Sequence, residues 1–290
     1  MINYVPYQEI DKIKYDTCIG HSKGSRIYAF SWYLDCVTDH WDCIVQDDYK
    51  AVMPLPRKTK YGISYVFTPS WVQQLGIFSL KEITEQVQTE FLEILSKKFL
   101  WFDYHLNSVQ KEARGSVQVK KNYLLPLKNG IKKIQEGYNN NRKRISKKSF
   151  EDFTLDKNGS IEVFIKKFKN LDKPYTISEE SIDLLKSLYL KNRNQVFVWN
   201  VFYLKEYLGG LIWLKDNHRI TYLAPIFSEK GKQLHVSTFL INELINDFEG
   251  QNLILDFEGS RLPGVEKFYL SFGAEPELYY YYKKRFIYHA

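Results

Sequence analysis

The sequence contains few cysteines, and their placement excludes two common uses. There are three in 290 residues, and all three lie within the first 43 positions, at Cys18, Cys36 and Cys43. Their spacing matches neither a zinc motif nor a disulfide framework. No histidine and acid are arranged near them as a catalytic cysteine would require. We therefore expect reduced thiols, no metal site and a cytoplasmic protein.

Long apolar runs are also absent. No run approaches the roughly 18 residues that a membrane-spanning helix needs. The first 14 residues alternate polar and apolar side chains and lack the basic and apolar regions of a secretory signal. We expect no membrane span and no secretion.

Aromatic residues, in contrast, are plentiful. Phe, Trp and Tyr make up 16% of the chain, with 44% hydrophobic and 26% charged residues overall. This composition is typical of a globular protein, and the length favours two domains or one large one. The sequence predicts a chain that folds on its own.

Positive charge is concentrated in one segment, Lys128 to Lys148. It contains eight basic residues and one acid, Glu136, so its net charge of +7 equals that of the whole chain. The rest of the protein is balanced. We predict a helix over about 130–150, weakened in the middle by Gly137 and three asparagines. The segment has two interpretations, an anion-binding surface and an ordinary solvated helix face.

The two halves of the chain repeat one order of predicted elements. Each has two strands around a turn, a polar turn, a strand that ends in proline, a loop with glycine, a helix and a last strand. The first copy runs from Asp42 to Leu106 and the second from Val196 to Glu258. The last strands carry Asp103 and Asp256. We predict two domains, 1–117 and 118–290, with a linker at 112–116.

The predicted helices have apolar periodicity. They cover about 80–97 in the first copy and 233–248 in the second, with Gly250 as a C-terminal cap. A further helix over about 178–190 begins at Ser178, a plausible N-cap. A short strand is predicted over 122–126.

A loop in the second half has the character of an anion site. It contains Lys230, Gly231 and Lys232, and it lies between a strand and the predicted helix from Gln233. Free N–H groups at a helix N-terminus, together with lysine charge, suit a phosphate. Since most turns from strand to helix contain a glycine, an ordinary turn stays the alternative.

Two carboxylates are predicted to share a face of the last strand of this half. The alternation of 253–258 places Ile254, Asp256 and Glu258 on one side. Buried carboxylates need partners, so they indicate either a cleft with a general base or a pair neutralised by Arg261, Lys267 or backbone donors.

These residues carry a family resemblance. The stretch from Leu253 to Ala274 looks like the acetyl-CoA-binding half of GNAT acyltransferases, in which an aromatic pair and then glycine and phenylalanine follow the fifth strand. Here Phe268-Tyr269 precede Phe272-Gly273. The repeat, with 73–76 (Gln-Gln-Leu-Gly) and 256–260 (Asp-Phe-Glu-Gly-Ser), resembles the FemABX-like group.

The resemblance covers most of the chain and implies a fold, an activity and a set of site residues. The fold is α/β (α+β), with two tandem GNAT-like domains, each a mixed, mainly antiparallel sheet flanked by helices. The activity is acyl transfer from acetyl-CoA or another acyl-CoA to a small-molecule or peptide amine. Tyr269 would protonate the leaving thiolate, with Glu258 and Asp256 as further catalytic candidates. The implied donor contacts are Ala224, Pro225, Ile226, Phe227, Lys230, Gly231, Lys232, Gln233 and Phe268.

Some residues depart from the family pattern. The donor loop keeps only the central glycine, Gly231, of the usual motif. FemABX enzymes that use aminoacyl-tRNA tend to have Phe-Lys where this chain has Phe268-Tyr269, which argues against a tRNA donor. The first half looks less catalytic and would help to form the acceptor site.

Two alternatives remain beside the acyl-CoA transferase. One is a FemABX-type transferase that uses aminoacyl-tRNA on a cell-wall precursor. The other is a non-catalytic GNAT-fold protein whose basic segment binds tRNA, RNA or another anion through Arg142, Lys143 and Arg144. Tyr138 is the only aromatic residue among these charges, so sequence-specific RNA reading is not expected.

Overall fold

A computed structural model describes residues 1–112, 117–171, 176–259 and 263–284. The chain divides into two compact units. The first contains Met1–Lys121 and the segment from Glu277 onward, and the second contains Asn122–Pro276. In the described ranges no helix is both long and apolar enough to cross a bilayer.

The first unit begins with a strand and two helices and continues as a sheet. Its elements in chain order are β1 (Ile2–Val5), α1 (Lys12–His21), α2 (Ser31–Val37), β2 (Trp41–Gln46), β3 (Ala51–Lys60), β4 (Ile63–Phe67), β5 (Phe78–Ser79), α3 (Glu85–Lys98) and β6 (Phe102–His105). The predicted helix over 80–97 starts later because Thr84 is its N-cap, with its hydroxyl accepting from Val87 N.

The second unit has the same order of elements with extra helices. Its elements are β7 (Val117–Pro126, whose first residues belong to the first unit), α4 (Ile131–Glu136), α5 (Asn140–Ser146), β8 (Phe153–Asp156), α6 (Ile161–Asn170), α7 (Glu179–Lys191), β9 (Val196–Tyr203), β10 (Glu206–Lys215), β11 (Arg219–Phe227), α8 (Glu229–Gln233), α9 (Val236–Phe248), β12 (Ile254–Asp256) and α10 (Pro263–Leu270). The last strand of the chain is β13 (Glu275–Lys284).

Each unit has a mixed, mainly antiparallel sheet, which confirms the predicted fold class. The strand order is β1-β2-β3-β4-β6-β13 in the first unit and β7-β12-β11-β10-β9-β8 in the second. The parallel pairs are β4 with β6 and β11 with β12. In each unit the chain reaches the second strand of this pair through a helix, α3 or α9.

The last strand, β13, lies mostly in a different unit from the one that the sequence predicted for it. We predicted that 118–290 forms one domain, but 277–284 lies with the first unit. The reason is strand pairing, since Tyr281 lies opposite His105 and Lys283 opposite Asp103. Most of the predicted linker, 113–116, lies outside the described residues.

The basic segment does not form the single helix that we predicted. It forms α4 and α5, separated at Gly137 to Asn139. The Asn139 side chain accepts from Arg142 N and starts the second helix, so an asparagine acts as a cap and not as an interior residue. The helix predicted from Ser178 is confirmed as α7, and Ser178 caps it.

Candidate active site in the second unit

The central feature of the second unit is a parallel strand pair that ends early. β11 and β12 pair only over Arg219–Thr221 and Ile254–Asp256. Beyond this point β11 continues along β10 to Phe227, while Phe257 N donates to Tyr123 O on β7 at 2.9 Å. The two strands therefore separate after Thr221 and Asp256, and we call the place between them the opening.

Tyr269, on α10, lies beside this opening. Its ring stacks on that of Phe257, with centroids 4.8 Å apart, and lies 6.0 Å from the Tyr123 ring and 6.4 Å from the Tyr222 ring. The side chain is 7% exposed. Burial raises the pKa of Tyr222 well above its ordinary value. The Tyr269 phenol is thus held by ring packing next to the point where β11 and β12 separate.

Asp256 has a structural partner that we did not predict. Its Oδ2 lies 2.8 Å from Nη1 of Arg219, and the carboxylate is only 1% exposed. Its Oδ1 accepts from Glu258 N at 2.9 Å. The register places Thr221 beside Asp256, so Arg219, two residues earlier, points to the same face. The signal was therefore present in the sequence, as a basic residue at the start of the neighbouring strand.

Glu258 does not share the strand face that we predicted for it. β12 ends at Asp256, and Glu258 has a positive φ of 61°. This left-handed conformation breaks the alternation of side chains, because alternation requires extended backbone. Glu258 is half-buried in the loop after the strand. Of the proposed neutralising partners, Arg261 lies outside the described residues.

Gly231 is explained by packing. A Cβ at this position would lie 2.0 Å from the carbonyl oxygen of Leu208 on β10. Its N–H donates to Oγ of Ser228, the N-cap of α8, at 3.0 Å. The glycine lets α8 approach the backbone of β10, and its N–H already has a partner.

The loop lysines also have partners. Lys230 Nζ lies 2.5 Å from a carboxylate oxygen of Glu206, and Lys232 Nζ lies 2.5 Å from one of Glu229. Gln233 is the exposed last residue of α8. The predicted open anion loop is therefore a short helix with its charges paired. The remaining predicted donor contacts, Ala224 to Phe227, form the end of β11 beyond the parallel pairing.

Comparison with solved structures places this geometry in a known fold. The chain resembles FemX at a TM-score of 0.67, with 10% identity over 96% of each chain. It resembles a conserved protein of unknown function from Bacteroides thetaiotaomicron VPI-5482 at 0.60, with 13% identity over 97% of this chain and all of the other. A tandem GNAT protein from the clavulanic acid biosynthesis pathway matches at 0.56, with 8% identity over 98% and 99%. No protein-family model and no curated protein matches.

The chain has a FemABX-like, tandem GNAT fold. The predicted resemblance is confirmed at the level of fold, which is what identities this low can show. The opening between β11 and β12 belongs to the second GNAT-like unit.

Arg142, which the sequence predicted to bind an anion, is buried. Its Nε donates to Ser271 Oγ at 3.0 Å and its Nη1 donates to Thr238 Oγ1 in the first turn of α9. The guanidinium carbon lies 4.5 Å from the Phe268 ring centroid and 4.4 Å from that of Phe272. Burial lowers the pKa of Arg142 to about 10. Among the described residues no carboxylate pairs with it, so aromatic rings and hydroxyl groups stabilise this cation.

The other predicted residues of this set remain on the surface. Lys143 Nζ donates to Glu136 O at 2.9 Å, and Arg144 donates to Asn141 at 3.0 Å. Both side chains are exposed. Arg142 thus connects α5 to α9 and α10, while its neighbours face solvent.

His235 is a residue that the sequence analysis missed. It precedes α9 with a left-handed φ of 61° and makes no side-chain cap for the helix. Burial and the charges of Lys148, Arg142 and Arg144 lower the pKa of its imidazole. His235 and the buried Arg142, which bonds to Thr238, therefore both lie where α9 begins. Sequence spacing gives no signal for this, because 93 residues separate Arg142 from His235.

The corresponding opening in the first GNAT-like unit is closed. Leu75, in the loop after β4, forms a bridge with Leu106, and its N–H donates to His105 O at 3.0 Å. His105 Nδ1 lies 2.8 Å from Gln73 O. Gln74 is fully buried next to Arg26. The Gln-Gln-Leu-Gly segment fills the space between the strands.

Proposed function

We propose that the second unit transfers an acyl group from a thioester donor to an amine acceptor, with acyl-CoA as the simplest donor. The observation that carries this proposal is the early end of the β11–β12 pairing next to Tyr269. Fold neighbours that include FemX and a tandem GNAT protein support it. The donor's thiol arm would lie along Ala224 to Phe227.

The proposed reaction needs one acid in a fixed place. The amine nitrogen attacks the thioester carbon, a C–N bond forms and the C–S bond breaks. The nitrogen loses a proton to solvent or to a base, for which Glu258 is the candidate that remains. The leaving thiolate takes a proton from the Tyr269 hydroxyl, and the phenolate is reprotonated from solvent. Asp256 has no part in this scheme, because Arg219 holds it in a buried pair.

Substitution of Tyr269 by phenylalanine tests the acid role. Tyr269→Phe keeps the stack on Phe257 and removes only the hydroxyl. We expect acyl transfer to fall by about 10²-fold to 10⁴-fold, with donor binding unchanged. Release of free thiol from acetyl-CoA and longer acyl-CoAs, with amines as acceptors, measures the rate.

A tyrosine elsewhere in the same unit provides the matched control. The Tyr207 hydroxyl, on β10, is buried and has no hydrogen-bond partner among the described residues. Tyr207→Phe is therefore expected to keep full turnover. Equal turnover in wild type and Tyr269→Phe would remove the acid role.

Binding of the donor can be measured without knowing the acceptor. A thioester present at about 100 times its dissociation constant stabilises the folded state by roughly 2.7 kcal/mol. Thermal unfolding with acetyl-CoA, longer acyl-CoAs, S-acetyl-N-acetylcysteamine and charged tRNA compares the donor classes. No shift with any thioester would contradict the proposed function, and a shift with charged tRNA alone would favour the aminoacyl-tRNA alternative.

A further inference from the structure

The surface formed by α4 and α5 is strongly basic. We use the name basic surface for its exposed side chains, which are Lys128, Lys132, Lys133, Lys143, Arg144, Lys147 and Lys148. The single acid of the segment, Glu136, lies 2.6 Å from Lys133. Among the described residues Lys128, Lys132, Lys147 and Lys148 have no carboxylate within ion-pair distance. This surface is available to an acidic partner.

The basic surface lies next to the elements that follow β11 and β12. Arg142, on α5, bonds to Thr238 in the first turn of α9 and to Ser271 at the end of α10. α8 and then α9 follow β11, and α10 follows β12, so α5 is fixed beside helices that come after the place where the two strands separate. Ser271 lies two residues after Tyr269, so a partner that docks on the basic surface would lie close to the element that carries Tyr269.

The loop that would hold a nucleotide's pyrophosphate offers little to an anion. The N–H of Gly231 bonds to Ser228, and Lys230 and Lys232 face carboxylates. Positive charge without carboxylate partners lies instead on α4, α5 and the residues that flank them.

Apolar side chains at the edge of the basic surface favour a protein partner over a nucleic acid. Leu234 is 36% exposed and precedes His235, and Leu270 is 42% exposed and precedes Ser271. Protein interfaces combine apolar contacts with a charged rim. A nucleic acid gains from stacking, but Tyr138 is buried and donates to Asn242 at 2.9 Å.

We propose that the basic surface docks an acidic carrier protein that presents the acyl group on a phosphopantetheine arm. The inference rests on the proposed function, because it assigns the source of the same thioester. The carrier's acidic surface would meet Arg144 and Lys148, and its arm would reach the opening beside Tyr269. Opposite charges would raise the association rate and make binding salt-sensitive.

Charge reversal at Arg144, on α5, and at Lys148, just after it, tests the docking surface. The probe is a bacterial acyl carrier protein loaded with an acetyl-phosphopantetheine arm, and acetyl-CoA is measured in parallel. In Arg144→Glu with Lys148→Glu we expect carrier-protein affinity to fall at least 10-fold and to lose most of its salt dependence. The response to S-acetyl-N-acetylcysteamine should not change, since this thioester has no acidic part.

The control variant has the same net charge. Lys166→Glu with Lys191→Glu changes two exposed lysines, one on α6 and one on α7, outside the basic surface. We expect it to bind the carrier protein as wild type does. Equal loss in both variants would show a general charge effect and overturn the docking site.

The remaining outcomes separate this proposal from the proposed function. Turnover with acetyl-CoA, without binding of the carrier protein, would overturn the docking proposal and leave the acyltransferase. Binding of tRNA and not of the carrier protein, lost in the α5 variant, would assign the surface to nucleic acid. Failure of every thioester, the cysteamine derivative included, would overturn the proposed function itself.

Discussion

The two GNAT-like units share an order of elements but differ after their parallel strand pair. In the first unit the loop that follows β4 comes back to the end of β6, where Leu75 forms a bridge with Leu106. In the second unit the chain after β11 enters α8 and does not return, while Phe257 bonds to β7. One topology therefore gives strands that stay bridged in one unit and strands that separate in the other. The path of a single loop makes the difference.

The aspartates of the matching strands show the same contrast. Asp103, on β6, is 39% exposed and lies 2.9 Å from Lys283. Asp256, on β12, is nearly inaccessible and pairs with Arg219. Equivalent positions in the repeat thus have different environments, and the energetic consequences should differ.

The largest stability difference is expected from neutralising these two aspartates. Asp256→Asn removes the buried carboxylate that pairs with Arg219, and removal of one partner of a buried pair costs about 3 kcal/mol or more. Asp103→Asn breaks a partly exposed pair, for which we expect a loss of less than about 1 kcal/mol. Urea denaturation of both variants measures the contrast.

This comparison has a direct counter-test. Arg219→Met together with Asp256→Leu removes both charges and should recover much of the stability lost in Asp256→Asn. Equal losses in Asp103→Asn and Asp256→Asn would contradict the different burial of the two residues.

An intermediate effect is expected at Gly231. A methyl group there must displace the Leu208 carbonyl or the start of α8, and such overpacking costs about 1–3 kcal/mol. Gly264, on α10, is the control, because a Cβ at this position meets no atom within 4 Å. Gly264→Ala is expected to be neutral or slightly stabilising. Thermal unfolding separates the two outcomes, and donor binding by Gly231→Ala shows whether the position of α8 matters to the site.

Much of the fold was predictable because it depends on local pattern. The repeat, the apolar face of α9 and the cap at Ser178 follow from spacing and residue type. The position of Tyr269 near the opening was expected from the resemblance alone. The single helix predicted over 130–150 was wrong because Asn139 is as good a cap as it is a poor helix former.

The remainder depends on contacts between residues that are distant in sequence. The pairing of β13 with β6 joins positions about 180 apart, and nothing local in 277–284 specifies a partner strand. The same holds for Arg219 with Asp256 and for the burial of Arg142 between α9 and α10. The lysines of α8 were predicted to add free positive charge to the loop, but each forms an ion pair with a carboxylate.

The smallest effect is expected at His235 and concerns pH. Because the folded-state pKa lies below its ordinary value, the unfolded chain binds this proton more readily. Above about pH 6.5 the titration of His235 therefore does not change the free energy of unfolding. As the pH falls through that value toward the folded-state pKa, the titration lowers the free energy of unfolding. His235→Asn keeps a residue that tolerates the left-handed backbone and removes the titration. We expect its stability advantage over wild type to grow below pH 6.5, by less than the Gly231 effect.

Arg144→Gln with Lys148→Gln, read by NMR titration of the imidazole, should return the His235 pKa toward its ordinary value. A pKa unaffected by that variant would mean that Arg144 and Lys148 do not act on the imidazole where α9 begins, and would weaken the contrast between the first unit and the basic start of α9 in the second.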